Sequence, residues 1–221
     1  MAPQYDIVTF DCYGTLIDWE SGIADAFHRA AREDGVDLRR DEILRAYAAA
    51  EGVVEREQYR RYRDVLAEAA SRTARSLGWP LAFERATFLA NSLPNWRPFA
   101  DTNPALERLR EAGYRLGILS NVDDDLLLAT RRHFTVGFDL IVTAQQVRSY
   151  KPAHGHFLAA RENIGTGRWL HAAQSNVHDI VPGNALGIPT AWVNRHGRTA
   201  LPGGTPTYEV SDLKGLADLL T

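Results

Sequence analysis

Four short stretches of this chain carry the residues that could do chemistry. FDCYGT holds Asp11, Tyr13 and Thr15; ILSN ends in Ser120 and Asn121; SYKP holds Lys151; QSNVHD holds Ser175, Asn176 and Asp179. A carboxylate is a poor nucleophile in water because its charge is well solvated. In a dry cleft, beside a lysine and backbone N–H groups, it can attack carbon or phosphorus and form a covalent intermediate. Two carboxylates, a lysine and several small hydrogen-bonding side chains are the parts for such a reaction. Taken singly, each has a plainer reading. Asp-x-x-Gly-Thr is a turn with a capping residue, a lysine before proline is a solvated loop residue, and Ser-Asn after a strand is a helix N-cap. Their joint occurrence, in order and at the ends of apolar runs, favours the chemical reading.

The elements that must position them follow from hydropathy patterning. Residues 7–10 (IVTF) are an apolar run ending in a glycine-containing turn, which predicts a buried parallel strand. Further strands are expected over 114–119, 138–143, 170–173 and 189–194, and helices over 123–133, 154–163, 182–186 and 210–220. Alternation of this kind builds a parallel sheet with helices on both faces. Ligands of such a sheet bind outside the carboxyl ends of its strands, where the polar residues above fall. Between about residues 21 and 90 no strand is expected; Ala, Arg, Glu and Leu recur at helical spacing, punctuated by Gly35, Gly52 and Gly78-Trp79-Pro80. The expected architecture is an α/β, Rossmann-like core made of residues 1–17 and 98–221, with a helical cap inserted at 18–97. Within the cap, Tyr59, Tyr62 and Leu66 read as one packed helix face with solvated arginines around them.

Bulk properties narrow the function classes. The 221 residues carry a net charge of −3, so no basic excess asks for nucleic acid or an acidic membrane. Cys12 is the single cysteine, which excludes an intramolecular disulfide and a cysteine-built structural zinc site. No apolar run approaches the roughly 20 residues that span a bilayer. The start of the chain has no basic segment followed by an apolar one, so no signal peptide is read there and a cytoplasmic location is expected.

Together, FDCYGTLID, ILSN, SYKP and QSNVHD make the chain resemble the haloacid dehalogenase superfamily over essentially its whole length. The resemblance implies a small-molecule substrate and Asp11 as the nucleophile. Thr15 and Ser120 would hydrogen-bond carboxylate oxygens of enzyme or substrate, and Lys151 would neutralise the clustered charge and keep Asp11 ionised. The N–H groups of Ser120 and Asn121 would cradle an anion, with Tyr13 and Ser175 also in the substrate-binding set. Asn176 and Asp179 would hold the hydrolytic water or support Lys151. A homodimer formed through the cap is implied as well.

Tyr13 separates the branches of that superfamily. Its phosphatases typically carry a second aspartate two residues after the nucleophile, which protonates the leaving oxygen and later activates water. A phenol, with an ordinary pKa of about 10, is badly matched to that role; a halide leaving group needs no proton. Asp-x-Tyr-Gly-Thr resembles the branch that hydrolyses (S)-2-haloacids, and QSNVHD resembles its Ser-Ser-Asn-x-x-Asp. The implied reaction needs no metal or other cofactor. The alternatives are a magnesium-dependent phosphatase of a small metabolite and a non-catalytic binding protein. The chain departs from the branch at Gln174 for serine, at Phe157 for tyrosine and at His178 for an aromatic. An aromatic-arginine pair expected early in the cap has Leu44-Arg45 as its nearest match. Arg45 is either that halide- and substrate-binding residue or a solvent-facing one. Trp96 either lines the cleft or packs at the hinge. His154 and His171 read as structural or exposed, and Asn194-Arg195 as a loop anchor.

Overall fold

Six parallel strands form one sheet in the computed structural model, which describes residues 3–221. In chain order, β1 (Ile7–Phe10) is followed by helices α1 (Trp19–Glu33), α2 (Arg40–Val54), α3 (Tyr62–Ser76) and α4 (Phe88–Ser92). Then come α5 (Thr102–Glu111), β2 (Arg115–Ser120), α6 (Asp124–Thr130), β3 (Leu140–Thr143), α7 (Ala144–Val147) and α8 (Gly155–Ile164). The chain ends with β4 (Trp169–Ala173), a π-helical turn (Asn176–Ile180), α9 (Val181–Ala185), β5 (Thr190–Val193), β6 (Tyr208–Val210) and α10 (Leu213–Leu220). The strand order is β3-β2-β1-β4-β5-β6, so the winding direction reverses beside β1. That reversal opens a crevice at the carboxyl ends of β1 and β4, the place where a doubly wound sheet receives its ligand. The α/β Rossmann-like core and its helical cap are both present.

The chain divides into two units, each described by itself. The α/β unit comprises the N-terminal segment through Asp18 with Pro98–Asn121 and Arg132–Thr221. All four residues of β1 are buried, which is why the strand is mostly apolar rather than alternating, with Thr9 as its one polar residue. Ile7, Leu119, Leu140, Val142, Phe157 and Trp169 share one core cluster. Strand packing is tight at Gly117, where a Cβ would come within 3.0 Å of the Thr9 methyl and 3.2 Å of Leu140.

The end of the chain corrects one expectation. Residues 208–210 form an edge strand paired with β5, and the last helix begins only at Leu213, capped by Asp212, whose carboxylate accepts from the Gly215 amide at 2.7 Å. A three-residue edge strand is too short to show a periodicity of its own, so its Val210 reads as the first apolar residue of the helix that follows.

The helical unit comprises Trp19–Arg97 and Val122–Arg131. Phe27 lies at its centre, edge-on to Tyr47, Trp79 and Phe88 with ring centroids 6.4, 6.2 and 5.1 Å away. Tyr62, Val65, Leu66, Ala69 and Ala70 give α3 its buried face. Tyr59 lies before the start of this helix, so the single face expected for Tyr59, Tyr62 and Leu66 holds only for the last two. The neighbouring arginines are paired: Arg61 and Arg63 both bridge to Asp125. Buried Asp123 accepts the first amides of α3, Tyr62 N at 3.0 Å and Arg63 N at 3.1 Å, a carboxylate placed where a helix N-terminus favours negative charge.

Trp96 is buried in this unit, donating its indole N–H to Ser92 Oγ at 3.0 Å. Its ring lies so close to α1 that a Cβ on Gly22 would be 2.3 Å from it. Gly22→Ala is therefore expected to destabilise the protein by about 1–3 kcal/mol through overpacking, despite alanine's better helix propensity. Urea denaturation checks this; a variant as stable as the parent contradicts the packing account. Among the described residues, no helix is long and apolar enough to cross a membrane.

Candidate active site

Asp11 stands directly after β1, and its amide still follows the sheet, donating to the Ala172 carbonyl of β4 at 3.1 Å. The chain then turns sharply. Leu16 N and Ile17 N both donate to the Cys12 carbonyl, Gly14 N donates to Ile17 O, and Gly14 takes a φ of 100°, a conformation that favours glycine. The turn folds Thr15 back onto the strand end, where its hydroxyl donates to Asp11 Oδ2 at 3.0 Å. The same hydroxyl accepts from the Gln174 backbone N–H at 2.9 Å. Gln174 thus meets Thr15 through its main chain, a bond that does not depend on the side chain at that position. Arg195 braces the turn from outside. It donates to the Thr15 carbonyl at 3.0 Å, forks onto both oxygens of Asp101 and stacks 3.9 Å over the Phe99 ring, which agrees with its reading as an anchor.

Lys151 is the hub of the site. Its ammonium is 1% exposed and donates to Asp11 Oδ1 at 2.9 Å, Asp179 Oδ1 at 2.6 Å and the Leu119 carbonyl at 2.8 Å, which uses all three protons. Asn121 clamps the lysine's main chain on both sides, accepting from Lys151 N at 2.7 Å and donating to Lys151 O at 3.1 Å. Burial alone would push the lysine's pKa down; the two carboxylates outweigh it and hold it above its ordinary value. Asp179, likewise buried, is held well below the usual carboxylate range by Lys151 and then by His171. Asp11 moves the other way. Burial pushes its pKa up, and Lys151 and Thr15 only partly offset that, with the Asp179 charge adding to the rise. The pair is therefore unequal: Asp11 is the carboxylate that a proton reaches first.

The turn after β4 delivers Asp179. Ser175 caps it, its hydroxyl accepting from the His178 amide at 3.1 Å, so that side chain holds the turn. Asn176 faces a loop: its amide donates to the Gly204 carbonyl at 2.8 Å and its carbonyl accepts from Leu201 N at 3.1 Å. Of the two roles expected for Asn176 and Asp179, these contacts give the support of Lys151 to Asp179 and engage Asn176 as a tether of residues 201–204. Ser120 closes β2 with a buried hydroxyl that has no hydrogen-bond partner among the described residues. Tyr13 is half-buried, its backbone bridged to Ile17 across the turn. Cys12 is buried, and burial pushes its thiol pKa well up, away from thiolate chemistry.

Asp11, Thr15, Lys151 and Asp179 are thus brought into direct contact, with Asn121 behind the lysine. Arg45 and Trp96 belong to the helical unit. Arg45 lies on an exposed face of α2, 73% accessible and paired with Asp41 at 3.2 Å in an i,i+4 arrangement. This environment matches its solvent-facing reading, while the contacts of Trp96 match packing within its own unit.

His171, which reads as structural or exposed in the sequence, is buried, and His156 is a second buried histidine that no motif marks. His171 lies in β4, in register with Thr9 of β1. Its Nε2 meets Asp179 Oδ1 at 3.0 Å and its Nδ1 meets Thr9 Oγ1 at 2.8 Å. Phe157, the residue that replaces a tyrosine, packs edge-on to the His171 ring with centroids 5.2 Å apart. His156 Nε2 lies 3.0 Å from the Ser120 carbonyl and donates to it, and burial followed by the Lys151 charge pushes its pKa down to about 3. It is neutral in the working range. The available signal for His171 was a polar pair, Thr9 and His171, interrupting two otherwise apolar central strands.

A parallel sheet whose carboxyl edge joins two carboxylates through one buried lysine is an arrangement suited to an aspartate nucleophile. Comparison with known proteins names the family. The model of the haloacid dehalogenase-like hydrolases matches residues 5–174, and the chain belongs to that family. It is 28% identical over 219 residues to an (S)-2-haloacid dehalogenase of Pseudomonas sp. (strain YL), covering 96% of this chain and 93% of that one. It is 29% identical over 230 residues to (S)-2-haloacid dehalogenase H-109 of Pseudomonas putida, covering 96% of each. Among solved structures, the L-2-haloacid dehalogenase RSc1362 superposes with a TM-score of 0.86 at 23% identity, covering 98% of both chains.

Proposed function

We propose that this hydrolase removes halide from a 2-haloalkanoate. Asp11 attacks the halogen-bearing carbon from the side opposite the halogen; the carbon–halogen bond breaks with its electron pair and an ester forms on Asp11. Water then adds to the carboxyl carbon of Asp11, the ester bond to the alkyl oxygen breaks, and a 2-hydroxyalkanoate of inverted configuration leaves. Lys151 stabilises the ionised nucleophile, Thr15 fixes its second oxygen, and the unpartnered Ser120 hydroxyl is a donor available to a substrate carboxylate. The observation that carries the reading is Tyr13. The position where phosphatases keep a second acid holds a phenol, so residue 13 offers no acid matched to protonating a leaving group in the first displacement, and a leaving group that needs no proton suits it. The named activities of the relatives from Pseudomonas support the same substrate class.

The donor set fits magnesium poorly. A hard cation of that kind wants several oxygen ligands. Here Asp11 and Asp179 each give an oxygen to the Lys151 ammonium, and residue 13 supplies no carboxylate. A magnesium-dependent phosphatase is the reading to test against. Chloride or fluoride release from haloacetates and (S)-2-chloropropionate, with a panel of phosphate esters assayed in parallel with and without EDTA, separates the two. Absence of halide from every haloacid, with phosphate released instead, would sink the proposal.

The acid limb of activity follows from the pKa directions. Attack needs ionised Asp11, whose pKa is raised by burial. Activity is lost as pH falls through that raised value, so the acid limb of kcat/KM lies above the ordinary aspartate value of about 3.9. A profile flat down to pH 4 contradicts it.

A further inference from the structure

We infer that His171 is a positioning residue that assigns the two oxygens of Asp179 different tasks, reserving Oδ2 for the water that cleaves the Asp11 ester. The inference rests on the aspartyl-ester reading above and adds to it a residue outside the four motifs.

A chain of hydrogen bonds sets it up. The Trp169 indole N–H donates to Thr9 Oγ1 at 2.7 Å, and we assign the single proton of that hydroxyl to the bond with His171 Nδ1, 2.8 Å away. The imidazole then carries its own proton on Nε2 and donates it to Asp179 Oδ1 at 3.0 Å. Lys151 donates to that same oxygen at 2.6 Å. Asp179 Oδ1 is thus held by two donors from opposite partners, and the carboxylate cannot rotate about its long axis without losing both. Its other oxygen, Oδ2, is buried and has no hydrogen-bond partner among the described residues. An uncompensated carboxylate oxygen in a dry site costs free energy unless something donates to it. Through Lys151 the same ammonium reaches Asp11 Oδ1 at 2.9 Å, so Oδ2 belongs to a carboxylate one ammonium away from the ester that must be hydrolysed.

The step balances with no further reagent. Water gives its oxygen to the Asp11 carboxyl carbon and a proton to Asp179 Oδ2. The tetrahedral adduct collapses by breaking the bond to the alkyl oxygen, and that oxygen takes the proton back from Asp179 as the hydroxy acid leaves; Asp11 is left as its carboxylic acid with the second proton of the water and releases that proton to solvent to regain the ionised nucleophile. Phe157 contributes by having no hydroxyl: packed edge-on to the imidazole, it leaves Thr9 and Asp179 as the ring's hydrogen-bond partners among the described residues.

The test separates the two chemical steps. His171→Phe removes the donor and keeps an aromatic ring; His171→Gln offers an amide N–H in its place; Thr9→Val removes the bond to Nδ1. Mixed rapidly with (S)-2-chloropropionate, His171→Phe is expected to release one equivalent of chloride per site at close to the wild-type rate. It should then turn over about 10- to 100-fold more slowly, a smaller loss than removing a general base outright. Intact-protein mass spectrometry should show the ester accumulating on Asp11. His171→Gln should recover part of the turnover and Thr9→Val should show a milder form of the same defect. Equal slowing of the chloride burst and of turnover, or no ester in any of the three variants, overturns the inference. A wild-type protein that releases halide from no haloacid overturns the proposed function instead. Nitrogen-15 NMR of the imidazoles then judges His171 alone: a proton on Nε2 in slow exchange supports the assignment, and a proton on Nδ1 overturns it.

Discussion

Asp11→Asn is expected to abolish halide release, by about 10⁴-fold or more, while leaving the protein folded. An amide has neither the charge nor the nucleophilic lone pairs of a carboxylate, so the first bond to carbon cannot form. The surroundings tolerate the change. Lys151 keeps a full carboxylate partner in Asp179 at 2.6 Å, and the asparagine Oδ1 can still accept from it. Thr15, which donates to Asp11 Oδ2, can turn its hydroxyl to accept from the new amide nitrogen. Thermal unfolding close to wild type, together with no halide and no ester on the protein, is the expected result. Substantial residual turnover would mean that another group attacks the substrate, and the proposed function would fall with it.

Lys151→Met is expected to cost both activity and stability. Methionine preserves most of the volume and removes the charge. Two carboxylates 2.9 and 2.6 Å from the vanished ammonium are then buried without a counter-charge, and the Leu119 carbonyl loses its donor. Removing one partner of a buried ion pair costs about 3–5 kcal/mol, far more than an exposed pair is worth. One of the carboxylates must take up a proton to relieve this, and Asp11, already the one whose pKa burial raises, is the one that does. The nucleophile is then neutral, so activity falls with stability. The sign of the pH dependence follows. Without the lysine, the folded-state carboxylate pKa lies above its unfolded value, so the variant regains stability as pH falls and loses it as pH rises through the folded value. Urea midpoints at pH 5 and pH 8 measure this. The double variant Lys151→Met with Asp179→Asn should recover part of the stability and none of the activity. A single variant as stable as the wild type at pH 8 would contradict the paired-charge account.

These two expectations concern residues that local sequence chemistry singled out, and the local part was legible for a physical reason. An apolar run followed by Asp11, Gly14 and Thr15 specifies a buried strand and a tight turn within a dozen residues, and the hydrogen bonds of that turn are local. The alternation of strands and helices likewise announces a parallel sheet, because each element buries its face on the next. Tyr13 spoke for itself, since the pKa range of a phenol is a property of the residue. Elements too short to carry a period, such as β6, and helix starts set by a distant cap, such as α3 on Asp123, were not readable in the same way.

What only the tertiary structure decided is which oxygen meets which donor. Lys151 and Asp11 are 140 residues apart, and their contact exists because β1 lies in the middle of the sheet with β2 and β4 on either side. The backbone N–H groups of Ser120 and Asn121 read as an anion cradle, and the structure adds that the Asn121 side chain clamps the lysine backbone; Asn176 read as a holder of water or a support of Lys151, and its side chain is tied to residues 201–204. Both are amides, able to donate and accept, so the residue type leaves the partner open. His171 is the clearest case. A histidine inside an apolar strand has no local signature that tells packing from function, and its role emerges only when strand register sets it beside Thr9 and the following turn brings Asp179 to its other nitrogen. The sequence by itself determined the fold class and the strand-end positions of the polar groups, and Tyr13 is the residue on which the proposed leaving group rests. The sharing of protons among Lys151, Asp179 and His171 required the three-dimensional register of the sheet, because a hydrogen bond depends on distances of a few ångströms between groups that the chain order separates widely.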